Sequence, residues 1–203
     1  MNKNIILSGL LLASCTSLAN ASVFVGFDYL NTNPNANTTG NYNIGATTYN
    51  YKDGTDSSSS INYKLGYASN SFRITLNGGE KFSSSTTDYK SYGINFDYLF
   101  PEVEILTDEA FKAFVGLRYG MGSLKDDIAG DVDINEYGVQ TGLIFINQSP
   151  YELEFGVSYT MYDGSQNFTN KSGTIQGNSF TNATGSLELK DSLSFYVGLN
   201  YKF

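Results

Sequence analysis

Histidine, the commonest general base in enzymes, is absent from all 203 residues. The single cysteine, Cys15, leaves no set of Cys or His ligands for a metal. What remains is carboxylates and cations. Asp28, Lys64, Arg73, Asp97, Lys112, Arg118, Glu152, Glu154 and Lys202 each stand between apolar or small residues, a placement that suits a salt-bridged network better than acid–base catalysis. The stretch "DVDINE" (131–136) begins like a calcium loop. Glu136, however, stands where the sharp turn needs glycine, and Gly142 at the twelfth position is no ligand. A solvated loop is expected there. No enzymatic activity, cofactor or metal is expected. The formal charge of −8 argues against a nucleic-acid partner, which needs clustered cations.

The elements that must carry these charges repeat with a period of two. In "VFVGFDYL", Val23, Val25, Phe27 and Tyr29 alternate with Phe24, Gly26, Asp28 and Leu30. "INYKLGY", "FRITLN", "YGINFDYLF", "FKAFVGLRYG", "YGVQTGLIF", "YELEFGVSYTM" and "LSFYVGLNYKF" follow the same rule, which makes about eight strands. Composition agrees, with 16 Tyr, 14 Phe and 21 Gly against 3 Pro and no Trp. The connections alternate in length. Polar segments 32–60, 78–89, 122–135 and 162–188 read as long loops, while 69–70, 101–110 and 146–150 read as short turns. The expected fold is all-β, an eight-stranded antiparallel up-and-down transmembrane barrel occupying residues 22–203, with the long loops outside the cell and the short turns in the periplasm.

A soluble barrel would show the same alternation with its apolar face inward. Here the second face carries the nine charges together with Asn62, Asn77, Asn95, Gln140 and Asn200. Burying so many ions in a dry core costs several kcal/mol each unless they are well paired. A polar lumen and a lipid-facing belt avoid that cost. Aromatic placement supports lipid: Tyr29, Tyr63, Tyr92, Tyr119, Tyr137 and Tyr159 fall toward the long-loop ends, and Tyr67, Phe72, Tyr98, Phe100, Phe111, Phe145 and Tyr201 toward the short turns. Two aromatic girdles around an aliphatic belt are what membrane interfaces select. Glycines such as Gly66, Gly116 and Gly198 fall on the lumen face, where small residues leave room for long charged ones.

Residues 1–21 read as a signal peptide, with Lys3 before a short apolar stretch. Two cleavage patterns overlap. Ala19 and Ala21 form a small-x-small site, and "LASC" offers Cys15 as an alternative lipidation site. The first is favoured because the first strand follows Ala21 almost directly. At the other end, Phe195, Val197, Leu199, Tyr201 and Phe203 alternate outward and finish on phenylalanine. This resembles the C-terminal signal of bacterial outer-membrane barrels, with an aromatic residue third from the end and a terminal Phe. With the earlier strands, the chain resembles the small eight-stranded outer-membrane proteins, the OmpA-barrel, OmpX and Opa-like group.

The resemblance implies the outer membrane of a Gram-negative bacterium, contact with its lipid and lipopolysaccharide, recognition by the barrel-assembly machinery, and a monomer. For function it leaves a structural or surface-interaction role, with the long loops contacting a host, phage or other cell-surface ligand. The loops could equally be flexible solvated cover. A narrow porin-like channel is the alternative. The lumen of eight strands is about as wide as its side chains fill, so Arg73, Asp97, Lys112, Glu152, Glu154 and Lys202 are expected to form one plug near the periplasmic end. Envelope enzymes of similar architecture rely on the histidine this chain lacks.

Overall fold

A computed structural model describes residues 21–53, 57–83, 87–126, 128–175 and 177–203. Cys15 and Ala19 lie outside the described residues, and Ala21 immediately precedes the first strand. The strands are β1 (Ser22–Ile44), β2 (Thr47–Asp53), β3 (Ser58–Ala68), β4 (Phe72–Ser83), β5 (Thr87–Leu99), β6 (Val103–Leu106), β7 (Glu109–Asp126), β8 (Gly130–Asn147), β9 (Tyr151–Asp163), β10 (Ser165–Ile175) and β11 (Asn178–Lys202). Eight of them close a ring in the order β1-β3-β4-β5-β7-β8-β9-β11, all antiparallel. Closure runs from Phe24↔Lys202 upward through Phe27↔Leu199 and Tyr29↔Val197, so the C-terminal strand pairs with the first and the eight-stranded ring has no open edge.

The alternation sorts by solvent and lipid as the sequence implies. Tyr63, Leu65, Tyr92, Leu117, Val139 and Phe195 are exposed on the outside, while Asp28, Lys64, Arg73, Asp97, Glu152 and Glu154 are buried within. An apolar outside around a polar inside is the inverse of a soluble protein and fits a hydrocarbon surround. Aromatics on the outward face pair across strands at both levels: Tyr119 with Tyr137 at 5.4 Å on the outer side, Phe111 with Phe145 at 5.3 Å and Tyr151 with Tyr201 at 5.2 Å on the inner. On the inner side, Ser69 and Phe72 bracket a tight turn, the Ser69 amide donating to the Phe72 carbonyl at 2.8 Å.

The long polar loops are a correction. Segments 32–60, 78–89, 122–135 and 162–188 continue largely as strand, and β1, β7, β8 and β11 run to 23, 18, 18 and 25 residues. About 9 to 11 residues suffice to cross the membrane, so these hairpins stand well above it. Beyond the outer tyrosines, β1 pairs with β11 on one side and β2 on the other, and β10 pairs with β11, giving a four-stranded sheet β2-β1-β11-β10. Opposite it rise the upper parts of β4, β5, β7 and β8, paired up to Ser83↔Asp88 and Asp126↔Gly130. Between the two sheets lies an apolar core. Ala36, Phe168, Phe180, Ala183, Leu187 and Leu189 come from the first, and Tyr89, Leu124, Val132 and Ile134 from the second. The two sheets form a small sandwich, closed by the same face-to-face packing that builds sandwich cores.

Candidate functional site: a sealed lumen beneath a packed crown

The membrane-level lumen is organised around Glu154, on β9. Arg73, from β4, donates to it through two nitrogens, Nη1 to Oε2 at 2.8 Å and Nη2 to Oε1 at 3.0 Å. The Arg73 Nε donates to Asp97 on β5 at 2.8 Å, so one guanidinium joins two walls of the barrel. Lys64 Nζ lies 3.0 Å from the same Glu154 and 2.6 Å from Asp28. Tyr196 and Asn200 donate to Glu154 at 3.2 and 3.1 Å, and Gln140 donates to Asp97 at 2.6 Å. Phe114 supports the guanidinium from its face at 4.7 Å. Buried charges persist when paired and hydrogen-bonded in this way. Small residues make the space: a Cβ on Gly116 would overlap the Asp97 carboxylate, and one on Gly198 would overlap Asp28.

The expected plug is divided rather than single. Lys112 pairs with Glu102 at 2.7 Å and Lys202 with Glu152 at 2.7 Å, apart from the Arg73 cluster. Above it, Arg118 meets Glu136 at 3.5 Å, and Tyr89 donates to the same carboxylate at 2.7 Å. Glu136 belongs to "DVDINE", which is strand and not the solvated loop expected. Val132, Ile134 and Glu136 point inward while Asp131, Asp133 and Asn135 point out. Lys81 is a further inward cation, 4% exposed, that sequence reading passed over because it fell in the segment taken for the second long loop. Its signal was present: Arg73, Thr75, Asn77, Gly79 and Lys81 keep the same parity along β4.

Little free space remains in this arrangement. The cavity lined by Asp28, Lys64, Arg73, Asn95, Gln140 and Tyr196 holds about 20 Å³ of free space, room for about one water molecule. Above it the crown core is packed and apolar, and Leu99, Phe114 and Ile144 pack with Leu30 and Tyr196, which themselves line the cavity. Among the described residues no group of three or more Asp and Glu is placed to hold a metal ion.

No protein-family model and no curated protein sequence matches the chain. Solved structures do. Neisserial surface protein A aligns with a TM-score of 0.51 at 17% identity, covering 91% of this chain and 99% of that one. The outer membrane protein OprG from Pseudomonas aeruginosa aligns with a TM-score of 0.55 at 14% identity, covering 91% and 97%. At these identities the likeness is one of fold: this chain has the architecture of the small outer-membrane barrels.

Proposed function

We propose that the chain is an integral barrel of the bacterial outer membrane whose work is done outside the cell by its packed crown, which presents a fixed surface to a host, phage or other cell-surface ligand. The observation that carries this reading is the apolar core between the two crown sheets. Segments serving only as solvated cover would not bury Phe168, Phe180, Leu187 and Leu189 to 2% exposure or less. A scaffold that fixes the conformation of exposed strands lowers the entropy lost when they bind. The low-exposure Arg73–Glu154–Lys64 cluster supports a structural lumen over a conducting one, and the absence of histidine supports a non-enzymatic role. Residues 195–203 close the barrel against β1, which suits a C-terminal segment that the assembly machinery reads.

The test is to replace 36–53 and 168–187 by short turns in cells. Gel mobility with and without boiling reports whether the membrane barrel still folds. Loss of adhesion, ligand binding or phage adsorption with the barrel intact is expected. Full retention of every such phenotype would remove the crown from function.

A further inference from the structure

The apolar surface ends near the inner aromatic girdle in most sectors. Below it, the β3–β4 turn is Ser69-Asn70-Ser71 and the β8–β9 turn is Gln148-Ser149-Pro150. One sector differs. β6 and the start of β7 form a hairpin that descends past the girdle, and on it Val103, Ile105 and Leu106 are exposed by 66, 49 and 63%. The register Val103↔Phe111 and Leu106↔Glu109 sets Val103 and Leu106 on the outward face. That face is continuous with the lipid belt, since Phe111 contacts Phe145 and Tyr98 contacts Phe100 just above. The opposite face is more polar. Ala110 and Ile146, which face the lumen, line a groove edged by Glu102 and Glu104, with Leu106 and Glu109 at its rim, and Glu102 is held there by Lys112.

Depth decides what the outward face meets. A strand rises about 3.3 Å per residue, and tilt in a barrel reduces the descent along the membrane normal by roughly a quarter. Ile105 and Leu106 therefore lie about 5 to 8 Å below Val103. The headgroup zone on each side of the hydrocarbon is about 5 to 7 Å deep. The hairpin face thus sits within the layer where apolar side chains still reach the acyl chains, with Glu102 and Glu104 turned to the mouth of the barrel and Glu109 beside Leu106 at the polar headgroup level.

We infer that the β6–β7 hairpin is a lipid-seated foot, with Val103 and Leu106 embedded at the headgroup boundary of the periplasmic phospholipid leaflet. It locally extends the height of the lipid-contacting wall in the β5–β7–β8 sector, where the bilayer must thicken or tilt to follow it. It also fixes the Glu102–Glu104 edge over the periplasmic opening.

The inference rests on the barrel being membrane-embedded, and the test separates the two. Residues 22–203 contain no cysteine, so a polarity-sensitive dye can be placed singly at Leu106→Cys, with Leu117→Cys in the belt and Asp108→Cys at the turn as references. The labelled proteins are reconstituted in phosphatidylethanolamine–phosphatidylglycerol vesicles containing lipids with a nitroxide near the top of the acyl chain. For L106C, emission shifted to the blue and quenched at least threefold more by the lipid nitroxide than D108C is the expected result. L106C quenched by aqueous iodide as strongly as D108C, with L117C still protected, would overturn the foot and leave the patch facing the periplasm, open to a protein partner. Iodide quenching at all three sites would instead contradict membrane embedding itself and, with it, the foot.

Discussion

Arg73 and Glu154 face each other across the lumen as a two-pronged pair, at 2.8 and 3.0 Å, with Arg73 4% and Glu154 2% exposed. Each is satisfied by further partners, Asp97 on one side and Lys64, Tyr196 and Asn200 on the other. Such a pair contributes little compared with apolar residues of the same volume, but breaking it strands a buried charge. Arg73→Ala is therefore expected to destabilise the barrel by about 3–5 kcal/mol in a reversible urea titration in lipid. The double variant R73M/E154L should recover a large part of that loss. A single variant as stable as the wild type would mean that water reaches Glu154 freely.

The crown core makes a separate prediction. Phe180 is 1% exposed and meets Tyr42 edge-on at 5.9 Å. Phe180→Ala removes a large side chain from a packed site, a loss of about 3–5 kcal/mol to local stability. Amide exchange across 178–189 should accelerate strongly while 193–201 stays protected. Equal exchange in wild type and variant would mean that the crown core is not holding the two sheets together.

Lys81 gives a pH dependence. It lies above the outer tyrosines, three residues past Gly78, which pairs with both Tyr63 and Tyr92. Burial pushes its ammonium down to about 7, Arg118 pushes in the same direction, and Glu136 and Asp28 oppose the shift. A lysine whose folded pKa lies below its unfolded value binds fewer protons when folded, so its contribution to stability rises with pH between about 7 and 10.5 and is flat below. Lys81→Met is expected to raise the thermal midpoint at pH 7, with the gain shrinking toward pH 10. A gain that is constant across that range would show that the lysine is not titrating within the crown.

These predictions draw on parts of the chain that were unequally legible. The membrane belt was readable because Val23, Val25, Phe27 and Tyr29 alternate with residues such as Asp28 that belong nowhere but a lumen, and the same logic located Arg73, Asp97 and Glu154. The crown was not. On β1 the inward residues above the girdle are Thr32, Pro34 and Ala36, and the outward ones Asn33 and Asn35. This alternation of small and polar side chains has almost no hydrophobic contrast, and Pro34 argues against a strand interior. What makes it strand is partnership: Thr32 pairs with Ser194, their hydroxyls 2.9 Å apart, and Asn35 donates to Asp191 at 3.3 Å. Glu136 was lost for a related reason. Its acidic neighbours read as a solvated loop, and only pairing with β7 and β9 reveals which of them turn inward. The grouping of charges also depends on register, since Lys112 and Lys202 have the right parity to join the Arg73 cluster but pair elsewhere.

A sealed lumen beneath a structured crown is most directly tested by conductance. Protein purified from outer membranes and inserted into a planar lipid bilayer is expected to show no steady current in salt solution, because the Arg73–Asp97–Glu154 cluster leaves space for about one water and the crown core above it is packed with apolar side chains. A stable, reproducible open-channel conductance from protein whose gel mobility confirms a folded barrel would contradict the account and restore the porin reading.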